Sequence, residues 1–164
     1  MEKNYILSPE VAANKLKRMA FEILENNFEE TSFILAGIRE SGTTIAHNIQ
    51  DLLKEIAGMK TELITVSLDK KNPQEVTLSR YPEMNDRVVI LIDDVCNSGK
   101  TLLYAIRPFL DSHPKKIQTL VLVERSHNAF PVKPDYVGLS VATTLQEHIY
   151  VEVDNRRVKG AWLE

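Results

Sequence analysis

The sequence predicts an α/β fold with a largely parallel central sheet flanked by helices. Three observations predict it. Residues 32–37 (SFILAG) and 88–92 (VVILI) are short apolar runs of the kind found in strands buried on both faces. Segments with helical spacing of apolar residues lie between such runs. Strands and helices then alternate along the chain instead of clustering by type.

Taken in order, Ser8 is a natural N-cap and Pro9 suits the first helical position. Val11, Leu16, Met19, Ala20, Ile23 and Leu24 continue that helix to about Asn27. After the strand at 32–37, a second helix runs from about Thr43 through Ile45, Ile49, Leu52, Leu53 and Ile56, stopping at Gly58. Residues 61–68 (TELITVSL) alternate like a strand. Residues 69–86 are polar and loop-like, with a short strand at 75–79. The strand at 88–92 precedes a helix at 102–110, whose last turn Pro108 makes irregular. Further strands are expected at 117–123, 135–139 and 148–153. Ligands of such sheets gather beyond the carboxyl ends of the strands, so the loops at 37–42 and 93–101 share one rim.

A chain of 164 residues is most simply one domain, and it shows no repeat, low-complexity segment or Gly/Ser linker. A formal charge of -3 argues against a protein that coats nucleic acid without specificity. The N-terminus lacks the apolar stretch of a signal peptide. No apolar run approaches the roughly 20 residues that span a bilayer. One cysteine makes no internal disulfide, and His47, His113, His127 and His148 are scattered, so no protein metal site is expected. A cytoplasmic enzyme or regulator without a membrane partner is the expectation.

The stretch IDDVCNSGKT, residues 92–101, carries the chemistry. A nucleoside triphosphate P-loop needs a glycine five residues before Gly99, and Asp94 stands there, wrong in both size and charge. A sugar phosphate fits both halves. Backbone N–H groups of Asn97, Ser98, Gly99, Lys100 and Thr101, where strand gives way to helix, suit one phosphate monoester. Asp93 and Asp94, just upstream, suit the vicinal hydroxyls of a sugar.

An apolar strand, two adjacent acids and a small-residue loop ending in GKT, over residues 89–101, resembles the phosphoribosyl pyrophosphate (PRPP) motif of type I phosphoribosyltransferases. The resemblance implies that fold, with a single domain over 1–164 and a small hood formed mainly by about 125–150 and by the N-terminal segment. It implies Asp93, Asp94 and Arg39 as catalytic residues, and Cys96 with Asn97, Ser98, Gly99, Lys100 and Thr101 around the 5-phosphate. It places the diphosphate on Arg39, Glu40, Ser41 and Gly42, with Arg80 reaching in from the 69–86 loop. The base falls to Val95, Tyr136 and Val137. Mg²⁺ is implied as cofactor, bound mainly through PRPP and water rather than by direct protein ligands. PRPP, a nucleobase or nucleotide and a homo-oligomer are the implied partners.

The stretches ILSPEVAANKLKRMAFEILE, GIRESGTTIA and LVERSHNAFPVKPDYVGLSVATT resemble the uracil-using branch whose members also attenuate pyrimidine operons. That branch implies transfer of ribose 5-phosphate to uracil, giving UMP and diphosphate. Purine-type enzymes carry a lysine where this chain has Glu124, an acceptor that cannot donate to a purine 6-oxo group. Two alternatives stand beside this reading. One is an RNA-binding regulator of pyrimidine genes using Lys15, Lys17, Arg18, Arg125 and Lys133. The other is a purine-base transferase. The connection from 68 to 87 is shorter than the resemblance leads one to expect, which bears on closure over the reaction.

Overall fold

In the computed structural model, which describes residues 2–144 and 146–164, apolar periodicity and burial agree closely. The elements in chain order are β1 (Asn4–Leu7), α1 (Pro9–Asn26), β2 (Ser32–Ile38), α2 (Arg39–Ala57), β3 (Lys60–Ser67) and β4 (Thr77–Leu78). There follow β5 (Val88–Cys96), α3 (Lys100–Ala105), a 3₁₀ turn (Arg107–Asp111), β6 (Lys116–Arg125), β7 (Tyr136–Val141), β8 (Ile149–Asp154) and β9 (Arg157–Leu163).

Six strands form one sheet in the order β4-β3-β2-β5-β6-β7, parallel throughout except for β4, which runs antiparallel on β3. The expected α/β architecture with a mostly parallel sheet is therefore the one formed. Period-2 alternation divides β2 between two cores. Phe33 and Leu35 pack with Leu16, Met19, Ile45 and Ile49 of α1 and α2. Ile34, Ala36 and Ile38 face the other side, with Leu102 and Phe109. Each Leu, Ile, Phe or Met among them contributes about 1.5–3 kcal/mol when fully buried. With both faces covered, β2 and β5 read as continuous apolar runs.

The helix starts follow local chemistry. The Ser8 hydroxyl accepts the Val11 N–H at 3.2 Å, and Pro9 opens α1 where its missing N–H costs nothing. α2 begins at Arg39, not near Thr43, so residues 39–42 form its first turn rather than a free loop. No capping side chain stands at Ile38 to announce that start. β5 continues past Ile92 through both acids, because β6 supplies ladder partners as far as Cys96, opposite Glu124. The expected helix at 102–110 splits into α3 and the 3₁₀ turn that contains Pro108.

A second, antiparallel sheet of order β1-β9-β8 joins the two ends of the chain over the carboxyl-terminal side of the large one. This corrects the expectation that 125–150 would make most of a hood. Those residues supply the end of β6, all of β7 in the large sheet and only the first two residues of β8. Trp162 lies in the small sheet, stacked on Tyr150 with centroids 5.4 Å apart. Among the described residues, no helix is long and apolar enough to cross a membrane.

Candidate active site

β5 delivers two acids to its carboxyl end. Asp93 is fully buried, and the Asp94 side chain is 15% exposed. Each folds back on the backbone: Asp93 Oδ1 accepts the Asp94 N–H at 2.9 Å, and Asp94 Oδ1 accepts the Val95 N–H at 2.8 Å. Lys70, just beyond β3, places its Nζ 3.1 Å from Asp93 Oδ1 and 3.3 Å from Asp94 Oδ1. Burial pushes the Asp93 carboxyl well above the ordinary range, Asp94's charge pushes it further, and Lys70 offsets part of that. Burial opposes the charge on Lys70, but the two acids together outweigh it and hold its pKa up. Gly42 brings α2 directly onto this spot, where a Cβ would lie 2.6 Å from the Ile92 carbonyl and 3.2 Å from Asp93 Cα. Gly42 is thus a packing residue, not part of the wall of the neighbouring cavity.

Below the acids, Asn97, Ser98 and Gly99 connect β5 to α3 around a cavity of about 280 Å³, which Asp94, Val95, Lys100, Thr101 and Ile149 also line. Gly99 has φ 87°, the left-handed region that glycine occupies without strain. A Cβ there would approach the Val132 carbonyl at 3.1 Å. The Ser98 carbonyl accepts the N–H groups of Ala129 and Phe130, both at 3.0 Å, so the following segment braces the loop. Since α3 has only six residues, the anion-holding capacity rests on N–H groups of the loop and first turn more than on a macrodipole. Cys96, expected among the phosphate contacts, buries its thiol in the α3-side core. Burial first, then Glu124 and Asp93, push that thiol up to about 11, so it stays protonated and inert.

A larger cavity, about 830 Å³, lies on the other side of Lys70. The first turns of α2 supply Arg39, Glu40, Ser41, Thr43 and Thr44; the end of β3 supplies Thr65 and Ser67. Arg39 is held at φ 48°, a strained conformation for a residue with a side chain. Arg80 is not here. Its guanidinium pairs with Glu62 at 3.2 Å and is 54% exposed, and Glu62 also takes Arg87 at 2.6 Å. The hydrogen bond from Arg87 holds the Glu62 carboxyl below its ordinary value. Glu62 sits opposite Ile34, toward the amino-terminal half of the strands, which turns Arg80 away from the site.

Two of the three expected base contacts are displaced. Tyr136 is fully buried; its hydroxyl donates to Gln118 Oε1 at 2.9 Å and accepts from Asn27 Nδ2 at 3.3 Å. It is a core tyrosine with no ring face for a ligand. Val137 packs against the α3-side core, and its carbonyl accepts Arg18. Val95 does face the smaller cavity, where Ile149 of β8 stands with it. Glu124 is buried and opens onto a separate cavity of about 380 Å³ lined by Ser126, Asn128, Lys133 and Ser140. Of the basic residues considered for RNA, Arg18 caps two carbonyls of β7, and Arg125 is buried on the carbonyls of Thr144 and Glu147.

Lys70, Thr65, Ser67, Ile149 and Arg156 have no assigned role in the sequence reading, and His47 figures there only as one of four scattered histidines. Thr65 and Ser67 left a trace as polar residues two apart at the end of an apolar strand; the others left none. For a cation, the donor set is two carboxylates, and among the described residues no three His, Cys, Asp or Glu converge. Lys70 already shows that a positive charge fits between the acids. Oxygen donors of this number suit Mg²⁺ held chiefly by substrate phosphates and water.

The phosphoribosyl transferase domain family matches residues 6–156. The chain is similar to the bifunctional protein PyrR of Clostridium acetobutylicum, 36% identical over 161 positions that cover 92% of this chain and 90% of the relative. The bifunctional protein PyrR of Streptococcus pneumoniae is 34% identical over 144 positions, covering 84% and 83%. Among solved structures, the hypoxanthine phosphoribosyltransferase of Trypanosoma cruzi superposes with a TM-score of 0.81 at 13% identity, covering 99% of this chain and 96% of the other. A hypoxanthine-guanine phosphoribosyltransferase of Bacillus anthracis gives 0.73 at 19% identity, with coverages of 86% and 84%. With the family matching residues 6–156 and two relatives at 34–36% identity over most of its length, the chain belongs to the phosphoribosyltransferase family, in the type I group.

Proposed function

We propose that the chain transfers the ribose 5-phosphate of PRPP to uracil, giving UMP and diphosphate. The observation that carries this reading is the position of Lys70 on Asp93 and Asp94, on the border between the smaller loop cavity and the larger basic one. A sugar bearing a monoester at one end and a diphosphate at the other has that layout. Residues 97–101 hold the 5-phosphate, Asp93 and Asp94 accept the ribose hydroxyls, and Arg39 with Ser41 holds the diphosphate. Val95 and Ile149 form an apolar slot beside the anomeric carbon for a flat base.

Cleavage at the anomeric carbon leaves positive charge on the ribose and negative charge on the diphosphate. Asp93 and Asp94 favour the cationic sugar, and Arg39 favours the departing anion. Mg²⁺, when bound near Asp93 and Asp94, supplies charge neutralisation for the diphosphate. Uracil is favoured over purines because the PyrR relatives share 34–36% identity, against 13–19% for the purine-type structures cited above. An activity screen with PRPP, Mg²⁺ and uracil, hypoxanthine, guanine or xanthine tests this. UMP formation is expected to dominate; faster use of hypoxanthine or guanine contradicts the base assignment.

The word bifunctional in the relatives' name favours a second reading, an RNA-responsive regulator that uses the same pocket as a nucleotide sensor. With Arg18 and Arg125 tied into the fold, Lys15, Lys17 and Lys133 carry that reading. A salt-dependent mobility shift of a pyrimidine leader RNA supports it, and no shift at low salt removes it.

A further inference from the structure

One wall of the large cavity comes from a part of the chain far from either phosphate loop. β8 and β9 are joined by Asn155 and Arg156, both left-handed, with φ 45° and 64°. Two such residues make the tight hairpin turn whose twist matches its strands. Asparagine adopts that conformation readily; arginine pays strain for it. The turn is fastened to α2, since Asn48 Nδ2 donates both to the Arg156 carbonyl at 3.0 Å and to the Thr44 carbonyl at 2.8 Å. Arg156 therefore enters the cavity beside His47, which stands one turn along α2 from Thr43 on the same face.

We propose that His47 and Arg156 form a second cationic edge of the diphosphate site, across from Arg39, gripping the outer phosphoryl group and coupling seating of the small sheet to substrate binding. This rests on assigning the Arg39 cavity to the diphosphate. Burial and the Arg156 charge both lower the His47 pKa, while Asp51 and a hydrogen bond with Gln50 on its own helix raise it. Arg39 and Glu40 from α2 and Lys70 from the loop after β3 are the other charged groups of the lining, and the neutral hydroxyls of α2 and β3 make up its polar remainder. A diphosphate placed there neutralises Arg156 and adds negative charge next to the imidazole. His47 then takes up a proton as the ligand binds, and the outer phosphoryl gains a second charge-assisted donor.

The test is calorimetry of inorganic diphosphate, and separately of ribose 5-phosphate, on the full chain at pH 6 and pH 8.5 in buffers of different ionisation enthalpy. Arg156→Asn keeps the turn conformation and is expected to weaken diphosphate about 10- to 100-fold, with partial rescue by Arg156→Lys. His47→Gln is expected to weaken it about 5- to 10-fold at pH 6, to have little effect at pH 8.5, and to abolish the proton uptake of the wild type. Comparing each variant with wild type at the same pH cancels the titration of diphosphate itself. Ribose 5-phosphate affinity is expected to stay within about twofold throughout. If Arg156→Asn and His47→Gln bind diphosphate like wild type while Arg39→Gln loses it, the inference fails and the cavity assignment stands. If Arg39→Gln also binds like wild type, the cavity assignment fails and takes the inference with it.

Discussion

The ammonium of Lys70 lies 3.1 Å from the buried carboxylate of Asp93 and 3.3 Å from that of Asp94, the two acids proposed to accept the ribose diol. Lys70 borders both cavities, so a sugar bound as proposed would displace its charge toward the diphosphate side. Lys70→Met is therefore expected to lower kcat/KM for PRPP about 10- to 100-fold, or about 1.4–2.7 kcal/mol of transition-state stabilisation. Steady-state kinetics at varied PRPP checks this; an unchanged kcat/KM removes Lys70 from the reaction.

Asp93 holds its proton more tightly in the folded chain than its ordinary value of 3.8 would allow. The folded state thus binds more protons than the unfolded one above that pH, so stability falls as pH rises from there toward the folded value. Asp93→Asn removes this cost while keeping an acceptor for the Asp94 N–H. It is expected to raise stability at pH 8 by about 1 kcal/mol, roughly 2–4 °C in Tm, and to change little near pH 4. Denaturation at the two pH values checks it, and a gain that is larger at pH 4 contradicts the account.

Asp94 is the more exposed acid and the one that faces the loop cavity. Asp94→Asn is expected to slow turnover about 100-fold or more while Tm moves by only a few degrees. A variant with full activity contradicts the role given to it.

Tyr136 makes the opposite prediction. Its hydroxyl ties Gln118 and Asn27 together inside the core. Tyr136→Phe is expected to lose about 1–2 kcal/mol of stability from amides left short of a partner. Turnover and base preference, measured below the melting range, are expected to stay within about twofold of wild type. A changed preference restores Tyr136 to the base site.

The legible parts of this chain are those whose cause is local. β2 and β5 are covered on both faces, so their burial is written as unbroken apolar runs, and Ser8-Pro9 announces α1 by capping chemistry alone. The acids and the GKT loop were readable because one strand and the turn after it supply the whole motif. β1 and β9 were not, since they pair the two ends of the chain, and the successive buried residues Gly160 and Ala161 break the period of β9. Ile149 and Arg156 reach the site only through that pairing. Arg80 was misplaced because a loop arginine gives no hint of which acid it will meet, and here Glu62 claims it. Tyr136 was misread because an aromatic residue in a strand looks the same whether it faces a ligand or the core; neighbours distant in sequence, Asn26 and Asn27, decide it.

A crystal structure of the chain with PRPP and Mg²⁺ tests the central assignment most directly. The 5-phosphate is expected on residues 97–101, the ribose hydroxyls on Asp93 and Asp94, and Lys70 drawn away from Asp93 toward the diphosphate beside Arg39. PRPP lodged elsewhere, with the Lys70–Asp93 contact intact and the loop at 97–101 empty, contradicts it.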